Sequence, residues 1–282
     1  MKKFFLTLIL LIFLSLVSLI TILSTIGIET NRFNNFILKK INQANNNINL
    51  ELTTIKFKLD VEEISLFFDT NNPVIKYRES KIPVTNIRVY MDFISLIKSS
   101  PKITKINLVL NQIDIKQLKK ISINLKPSNF TSFIKNKIQQ GKISTEIEVY
   151  LDDNNLFNNF IARGSVSNLK VNISKEIDLD KTSFSFFADK SDILLKNILS
   201  EAGIFKISDG DIKLKLSSGI LLESNFKTNL KYDNKLKNYT SLIRDFKYGK
   251  NLINLEADLS NSITINFDET YKVKKYDYKA SG

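Results

Sequence analysis

The sequence predicts a mainly β protein with a few helices, held to a membrane by one helix at its N-terminus. The first sign is an apolar run, from Phe4 to Ile28, that carries no charged residue. The second is a strict alternation of apolar and polar residues that recurs through the rest of the chain. A period of two places apolar side chains on one face of a strand and polar side chains on the other. We therefore expect an N-terminal transmembrane helix followed by a long, curved antiparallel β-sheet, with a β-sandwich as the alternative.

The apolar run is long enough to cross a bilayer, because a helix rises ~1.5 Å per residue and the hydrocarbon core is ~30 Å thick. Lys2 and Lys3 precede the run, so the positive-inside rule places the N-terminus in the cytoplasm. Residues 1–28 are therefore predicted to be a cytoplasmic n-region and a transmembrane anchor. A cleaved signal peptide is the competing interpretation. We favour an uncleaved anchor, because the h-region of a signal peptide is only ~7–15 residues long.

The two segments after the apolar run differ in the spacing of their apolar residues. Residues 29–47 are predicted to form a short amphipathic helix, in which Phe33, Ile37 and Ile41 share one face. Residues 48–282 are predicted to form one β-rich domain with an apolar groove. We expect that domain to continue beyond Gly282, since another strand-like segment lies close to the end and nothing in the sequence covers it.

Two helices are expected within the β-rich part, Pro127–Gln140 and Asp189–Ala202, because their apolar residues recur at helical spacing. Gly141 and Gly203 follow them as expected C′ residues. The expected turns have the residue types of hairpin turns, and the expected strands alternate apolar and polar residues. The turns are Asp152–Asn155, Asp209-Gly210 and Ser217–Gly219, and the strands lie around Ile55–Val61, Ile87–Phe93, Ile106–Leu110, Ile121–Leu125, Ile143–Leu151, Leu169–Ile173, Phe184–Phe186, Ile212–Leu216, Phe226–Leu230, Ile253–Leu259, Ile263–Phe267 and Tyr271–Tyr278.

The composition excludes several kinds of site. The chain has no histidine and no cysteine, which removes Ser-His-Asp and Cys-His nucleophiles and nearly all zinc sites. The eight glycines match neither a dinucleotide-binding nor a phosphate-binding loop. Carboxylate pairs such as Glu146 and Glu148 alternate with apolar residues, so we expect them on the solvated face of a strand. We predict neither an enzyme nor a cofactor.

The net charge of +12 comes from 41 basic and 29 acidic residues that are spread along the chain. Nucleic-acid-binding proteins usually cluster their basic residues. Lys, Asn, Ile and Phe are over-used together, which is typical of an A/T-rich genome. We therefore expect no nucleic-acid partner.

A long sheet with one continuous apolar face must hide that face. It can close into a barrel, stack on a second sheet, or curl around an apolar ligand. In a membrane-anchored protein the obvious ligand is a lipid acyl chain, while the alternative is an ordinary β-sandwich core. The candidate groove residues are the apolar members of the predicted strands: Ile55, Phe57, Leu59, Val89, Met91, Phe93, Ile106, Leu108, Ile147, Val149, Leu214 and Leu255.

Three segments of the first part of the chain carry a family resemblance. They are the junction Gly27–Ile37, the early strand Leu52–Phe57, and the stretch from Pro73 through Ile87–Ile97 to Ile103–Leu108. The last is similar to a strand, a short helical turn and a strand that begins I-x-x-I. In these segments the chain resembles the start of AsmA-like proteins, the family that includes TamB-type bridge-like lipid carriers. Members of that family are usually much longer than this chain.

The resemblance implies a taco-like β-groove on the periplasmic side of a Gram-negative inner membrane. It also implies a role in moving phospholipid toward the outer membrane or in outer-membrane biogenesis. We therefore expect a single-pass inner-membrane protein, with its N-terminus in the cytoplasm and its bulk in the periplasm, that acts as a lipid-binding and transfer scaffold. Its expected partners are the phospholipid bilayer, acyl chains and other envelope proteins. The alternative is a structural or assembly factor that binds protein partners through its β-sheet.

Overall fold

In the residues that it describes, a computed structural model of the chain shows three helices with defined bounds and sixteen strands. The helices are α1 (Lys2–Thr25), α2 (Ile115–Ile123) and α3 (Asn129–Asn136). The structure describes residues 2–31, 34–35, 37–39, 47–52, 54–92, 95, 98, 102–124, 128–152, 154, 156–173, 178–216, 219–233, 254–268 and 272–282.

The strands account for most of the described chain. They are β1 (Ile28–Thr30), β2 (Ile48–Glu51), β3 (Ile55–Asp60), β4 (Ser65–Asn71), β5 (Val74–Tyr77), β6 (Ser80–Ile82), β7 (Val84–Met91), β8 (Ile103–Asp114), β9 (Ile138–Leu151), β10 (Phe157–Asn172), β11 (Asp178–Asp189), β12 (Asp192–Ala202), β13 (Phe205–Lys215), β14 (Ile220–Asp233), β15 (Asn254–Phe267) and β16 (Val273–Ser281).

Thirteen of the strands form one open antiparallel sheet, in the order β1-β3-β4-β7-β8-β9-β10-β11-β12-β13-β14-β15-β16. The other three form a small sheet in the order β2-β5-β6. The predicted class, mainly β with a few helices and one apolar N-terminal helix, is confirmed. The chain divides into two compact units. Unit 1 comprises 1–110 and 147–160, and unit 2 comprises 111–146 and 161–282.

In unit 1 the apolar helix α1 leads directly into the sheet. α1 contains a 23-residue segment, Lys3–Thr25, that is long and apolar enough to span a membrane. Gly27 follows with φ of +74°, and its amide donates to the carbonyl of Ile22 at 2.8 Å. A Cβ on Gly27 would lie 2.7 Å from Cγ of Lys58. Glycine is therefore required both by the left-handed turn that ends the helix and by the close approach of β3.

Glu29 and Thr30 were predicted to begin the amphipathic helix, but they lie in β1 and pair with β3. Helical backbone follows at Asn34, Asn35 and 37–39, where Ile37 is buried. Phe33 and Ile41, the other expected members of that helix face, lie outside the described residues.

Unit 2 is built from long strands with a bulge in each of four successive members. Asn168 in β10, Lys181 in β11, Asn197 in β12 and Asp209 in β13 all have left-handed backbone, with φ between +48° and +56°. The strand pairs of β10–β13 shift register next to these residues. β14 and β15, in contrast, pair without a shift from Ile220 to Asp233. Because a bulge bends its strand and increases the local twist, this part of the sheet is curved across β10–β13.

The two short helices cover one end of the sheet in unit 2. Asp114 caps α2 and forms a capping box with Gln117, while Ser128 does the same for α3. Both helices turn apolar side chains toward the start of β9 and the neighbouring strand ends. The resulting core cluster consists of Ile115, Ile134, Ile138 and Val171, with Leu118, Leu169 and Leu179 packed against it.

The predicted helix Asp189–Ala202 is wrong, because 192–202 form β12. The bulge at Asn197 inserts one residue, so that Leu195 and Ile198 fall on the same face although they are three apart. That spacing imitates a helix. Gly203, expected as a helix C′ residue, lies in the turn between β12 and β13 with φ of +62°.

Other local predictions were corrected as well. The predicted strand Ile121–Leu125 belongs to α2 as far as Ile123, and Leu125 lies outside the described residues. The predicted helix Pro127–Gln140 is shorter, because Ile138 already begins β9 and Gly141 lies within that strand. Asp209-Gly210 is the bulge of β13 and makes no turn. The hairpin at Asp152 is confirmed, since its amide donates to the carbonyl of Leu156 at 2.9 Å.

Candidate functional site

In unit 1 the sheet brings together the candidate residues of β3, β7 and β8. The strand registers align Phe57 with Phe68, Val89 and Ile106, and they align Ile55 with Thr70, Ile87 and Leu108. Leu59 and Met91 both pair with Leu66. The predicted groove residues of these strands therefore share one face.

This face of unit 1 is largely filled by the protein itself. Ile55, Val89 and Met91 are buried, and Ile55, Met91 and Phe68 are the largest fully buried side chains of the described chain. Phe57, Leu59, Ile106 and Leu108 are half-buried. Phe93 lies outside the described residues. Since a buried side chain already has its packing partners, Ile55, Val89 and Met91 have little surface left for a ligand.

The opposite face of unit 1 carries polar residues that are also covered. Tyr90 was expected on the wet face but is buried, and its ring stacks on Phe67 with centroids 5.1 Å apart. Nζ of Lys105 lies 4.2 Å from the Tyr90 ring centroid and 2.7 Å from Oε1 of Glu63. Burial raises the pKa of the Tyr90 hydroxyl. A face that holds a buried phenol and a paired ammonium contributes to the folded core of unit 1 rather than to an open surface.

Unit 2 has an apolar face that stays accessible, and we call it the apolar track. It is defined by two neighbouring rows that cross β11–β16 in register, so that each row meets each of these strands once. The first row is Phe186, Leu195, Ile212, Ser224, Ile263 and Tyr278, and the second is Ala188, Ile193, Leu214, Leu222, Ile265 and Tyr276.

Every large apolar side chain in the two rows is half-buried or exposed. The candidate Leu214 is part of the track. Leu255 is exposed on the same face of β15, opposite Tyr232. Ile147 and Val149 of β9 are half-buried and belong to unit 1. The sequence-based set missed Ile193 and Leu195, because their strand was predicted to be a helix.

The other face of these strands, the outer face, is lined with ion pairs. In most of them a lysine on one strand meets a carboxylate on the neighbouring strand. Such exposed pairs add little stability, but they keep this face solvated. The pairs with nitrogen–oxygen distances of 3.6 Å or less are Lys170–Asp180, Lys181–Glu201, Lys196–Asp211, Lys213–Asp192, Lys215–Glu223, Lys227–Asp209, Lys231–Glu256 and Lys279–Asp277.

Beyond the first row, small polar side chains interrupt the apolar face. The hydroxyls of Thr182 and Ser200 hydrogen-bond at 2.7 Å, and both residues are buried. On β14 and β15, Nδ2 of Asn261 donates to Oγ1 of Thr228 at 2.9 Å, and the hydroxyl of Tyr278 donates to Oδ1 of Asn261 at 2.9 Å. We call Thr182, Ser200, Thr228 and Asn261 the polar stripe, and Tyr278 of the first row hydrogen-bonds to it. The polar stripe bounds the apolar track on one side with groups whose hydrogen bonds are satisfied within the sheet.

The two faces of unit 2 suit different surroundings. Within the described residues, no group of three or more acidic side chains is placed to hold a metal ion. The apolar track can bury hydrocarbon, and the outer face can remain in water. No family model matches the chain, and neither a curated protein nor a solved structure is similar enough to it to assign a relative.

Proposed function

We propose that the protein is a membrane-anchored scaffold that binds phospholipid and takes part in its transfer, with acyl chains lying on the apolar track of unit 2. The contrast between the two units supports this proposal. Ile55 and Met91 in unit 1 are buried by the chain itself, whereas Ile193, Leu195 and Leu222 in unit 2 keep access to solvent. Accessible apolar rows of this length favour an apolar partner.

Acyl chains suit the track in shape and in energy. The two rows cross six neighbouring strands, and strands lie about 4.8 Å apart, so each row extends for about 24 Å. An extended acyl chain fits along such a row without needing a polar recognition motif. Each buried CH₂ contributes about 0.8 kcal/mol, so even a partly covered chain would be held. The side chains of the polar stripe already have hydrogen-bond partners within the sheet, so they do not require polar groups from the ligand.

The proposed location is the periplasmic side of a Gram-negative inner membrane, as the resemblance to AsmA-like proteins implies. Lys2 and Lys3 favour a cytoplasmic N-terminus, and α1 is long enough to carry the rest of the chain across. A phosphatase that is active only outside the cytoplasm, fused after Gly282, should be active. An inactive fusion of normal abundance would mean that the orientation is inverted.

The decisive test compares neighbouring leucines on opposite faces of the same strand. Leu195 and Leu222 lie on the track, whereas Leu194 and Leu221 lie on the outer face, and all four are half-buried. Photo-crosslinking side chains at Leu195 and Leu222 should capture phospholipid in cells. The same groups at Leu194 and Leu221 should capture much less. Equal capture on both faces, or none on either, would exclude the track.

A second function, assembly with envelope proteins through the sheet, is favoured by one observation. β16 is an edge strand of the large sheet, and all its residues from Val273 to Ser281 are exposed. An exposed edge can accept a strand from a partner. Crosslinkers at Lys275 and Asp277 would then capture protein, while the leucines of the track would capture no lipid.

A further inference from the structure

The pairing of β1 with β3 fixes which end of the sheet lies beside the anchor. β1 begins at Ile28, shortly after α1 ends, and Ile28 pairs with Phe57. Since the two strands are antiparallel, β3 continues past Ile28 toward α1 and ends at Asp60. α1 and β3 are in contact. In the last turns of the helix Leu23 and Ser24 are half-buried, whereas the side chains from Lys3 to Ile22 are exposed.

The turn that follows β3 therefore lies next to the end of the transmembrane helix. Asp60 is three residues beyond Phe57, which corresponds to about 10 Å along a strand. Interfacial segments bury their apolar side chains to a depth of about 5–10 Å in a leaflet. The β3–β4 turn is thus within reach of the leaflet from which α1 emerges.

The side chains at this turn are apolar and unusually open. Val61 is 59% exposed and Ile64 is 83% exposed. Ile64 also has φ of +49°, a left-handed conformation that is strained for a β-branched residue and usual for glycine or asparagine. The fold thus places an isoleucine where another residue would fit the backbone better, and it buries almost none of the side chain.

A second turn of unit 1 has the same character and points to the same end of the sheet. Strands alternate in direction through β3-β4-β7-β8-β9-β10, so β9 runs toward the anchor end, as β3 does. The turn after β9 carries Leu156, which is 63% exposed, and Phe157, which is 55% exposed. Phe157 stacks on Phe160 with ring centroids 6.4 Å apart, which presents an aromatic pair beside this turn.

Most of the acidic groups near these turns are already engaged by the fold. Oδ1 of Asp60 accepts from the amides of Glu62 and Glu63 at 3.1 and 3.2 Å. The carboxylate of Glu63 pairs with Lys105. Oδ1 of Asp152 accepts from the amides of Asn154 and Leu156 at 2.9 and 2.8 Å. These carboxylates thus stabilise the turns. Each already has a hydrogen-bond or ion-pair partner where the turns approach the lipid headgroups.

We propose that the β3–β4 and β9–β10 turns form a second membrane contact, inserting Val61, Ile64, Leu156 and Phe157 into the leaflet beside the end of α1. The occupant of this surface is the bilayer itself, because the β3–β4 turn lies directly beside α1 and the β9–β10 turn lies at the same end of the sheet. Unit 1 is then seated on the membrane at three points. This contact does not depend on whether the apolar track of unit 2 binds lipid.

The test uses single cysteines, since the natural sequence has none. A polarity-sensitive nitrobenzoxadiazole label is placed at Ile64→Cys, Leu156→Cys or Thr54→Cys in the full chain, reconstituted in phosphatidylcholine vesicles. Thr54 is the matched control, because it is exposed and directly precedes the first residue of β3, at the end of the strand away from the β3–β4 turn. Lipids that carry a doxyl quencher at the 5-position of the acyl chain then report insertion.

Labels at Ile64 and Leu156 of the protein in vesicles should emit at shorter wavelength than the free label in buffer without detergent. They should also be quenched roughly twofold or more relative to Thr54, as expected for interfacial depth. Labels at Ile64 and Leu156 that are quenched no more than the label at Thr54 would overturn the proposal. This holds whether the lipid quencher reaches none of the three positions or all of them. Capture of lipid at Leu195 tests the track separately.

Discussion

Asn261 hydrogen-bonds across the β14–β15 pair to Thr228, with 2.9 Å between Nδ2 and Oγ1, at the border of the apolar track. The hydroxyl of Tyr278 donates to Oδ1 of the same side chain. One buried amide therefore ties three successive strands together at the edge of the apolar track.

We expect Asn261→Ala to lower the free energy of unfolding by about 1–3 kcal/mol, because it leaves the hydroxyls of Thr228 and Tyr278 without their partner. Asn266→Ala is the matched control, since Asn266 lies on the same strand and on the outer face. The control should change stability by less than about 0.5 kcal/mol. Denaturant unfolding in detergent measures both, and an equal effect at the two positions would contradict the prediction.

Substitutions at the bulge in β12 should change stability according to how well the new residue adopts a left-handed backbone. Asn197 has φ of +56°, so Asn197→Gly should be tolerated, whereas Asn197→Val should cost about 1–3 kcal/mol. At Asn225, an exposed residue in the regular strand β14, valine should be neutral or mildly favourable. Thermal unfolding of the three variants checks this, and a valine cost that is the same at both sites would contradict it.

The lysine on the covered face of unit 1 should matter more than an exposed one. Lys105→Ala removes both the pair with Glu63 and the contact with the Tyr90 ring, so we expect a loss of about 1–3 kcal/mol. Lys56 meets Glu29 at 3.6 Å with both side chains more open, and Lys56→Ala should cost about 0–1 kcal/mol. A larger loss for Lys56→Ala in denaturant unfolding would refute this ranking.

The β11–β12 turn should respond to acid. Oδ1 of Asp189 accepts from the amides of Asp192 at 2.8 Å and Ser191 at 2.7 Å, and these hydrogen bonds lower the pKa of the carboxyl group. A lowered folded-state pKa gives stability that is present above the usual carboxyl range and is lost as the pH falls through the folded-state value.

Hydrogen exchange of the Ser191 and Asp192 amides measures this effect. The ratio of exchange rates between Asp189→Ala and the natural protein should exceed one at neutral pH and approach one in strong acid. Taking the ratio at each pH cancels the intrinsic pH dependence of exchange. A ratio that does not change with pH would show that the carboxylate is not responsible.

Much of the sheet follows from local pattern, and β15 shows why. Leu255, Ala257 and Leu259 alternate with polar residues, and the strand pairs with β14 in one register throughout. β12 shows the limit, because the bulge at Asn197 shifts the alternation by one residue and imitates helical spacing. A bulge depends on pairing with distant strands, so the local sequence does not reveal it.

The candidate site could be predicted only in part, for a related reason. Ile55 and Leu214 both occur in alternating apolar patterns, yet Ile55 is fully buried and Leu214 keeps access to solvent. Alternation determines which face a side chain occupies, whereas burial depends on what packs on that face. The sequence therefore identified one-sided strands but did not separate the filled face of unit 1 from the accessible face of unit 2.

From β7 to β16 the order of strands in the sheet is the order of strands in the chain. Each strand from β8 to β16 pairs with the strand synthesised immediately before it, so every step joins segments that are neighbours in the sequence. A chain with this strand order can add strands one at a time to a growing template as it is synthesised. Vectorial growth of this kind leaves a single newly formed edge open at any moment, which limits the time for mispairing with a neighbouring chain.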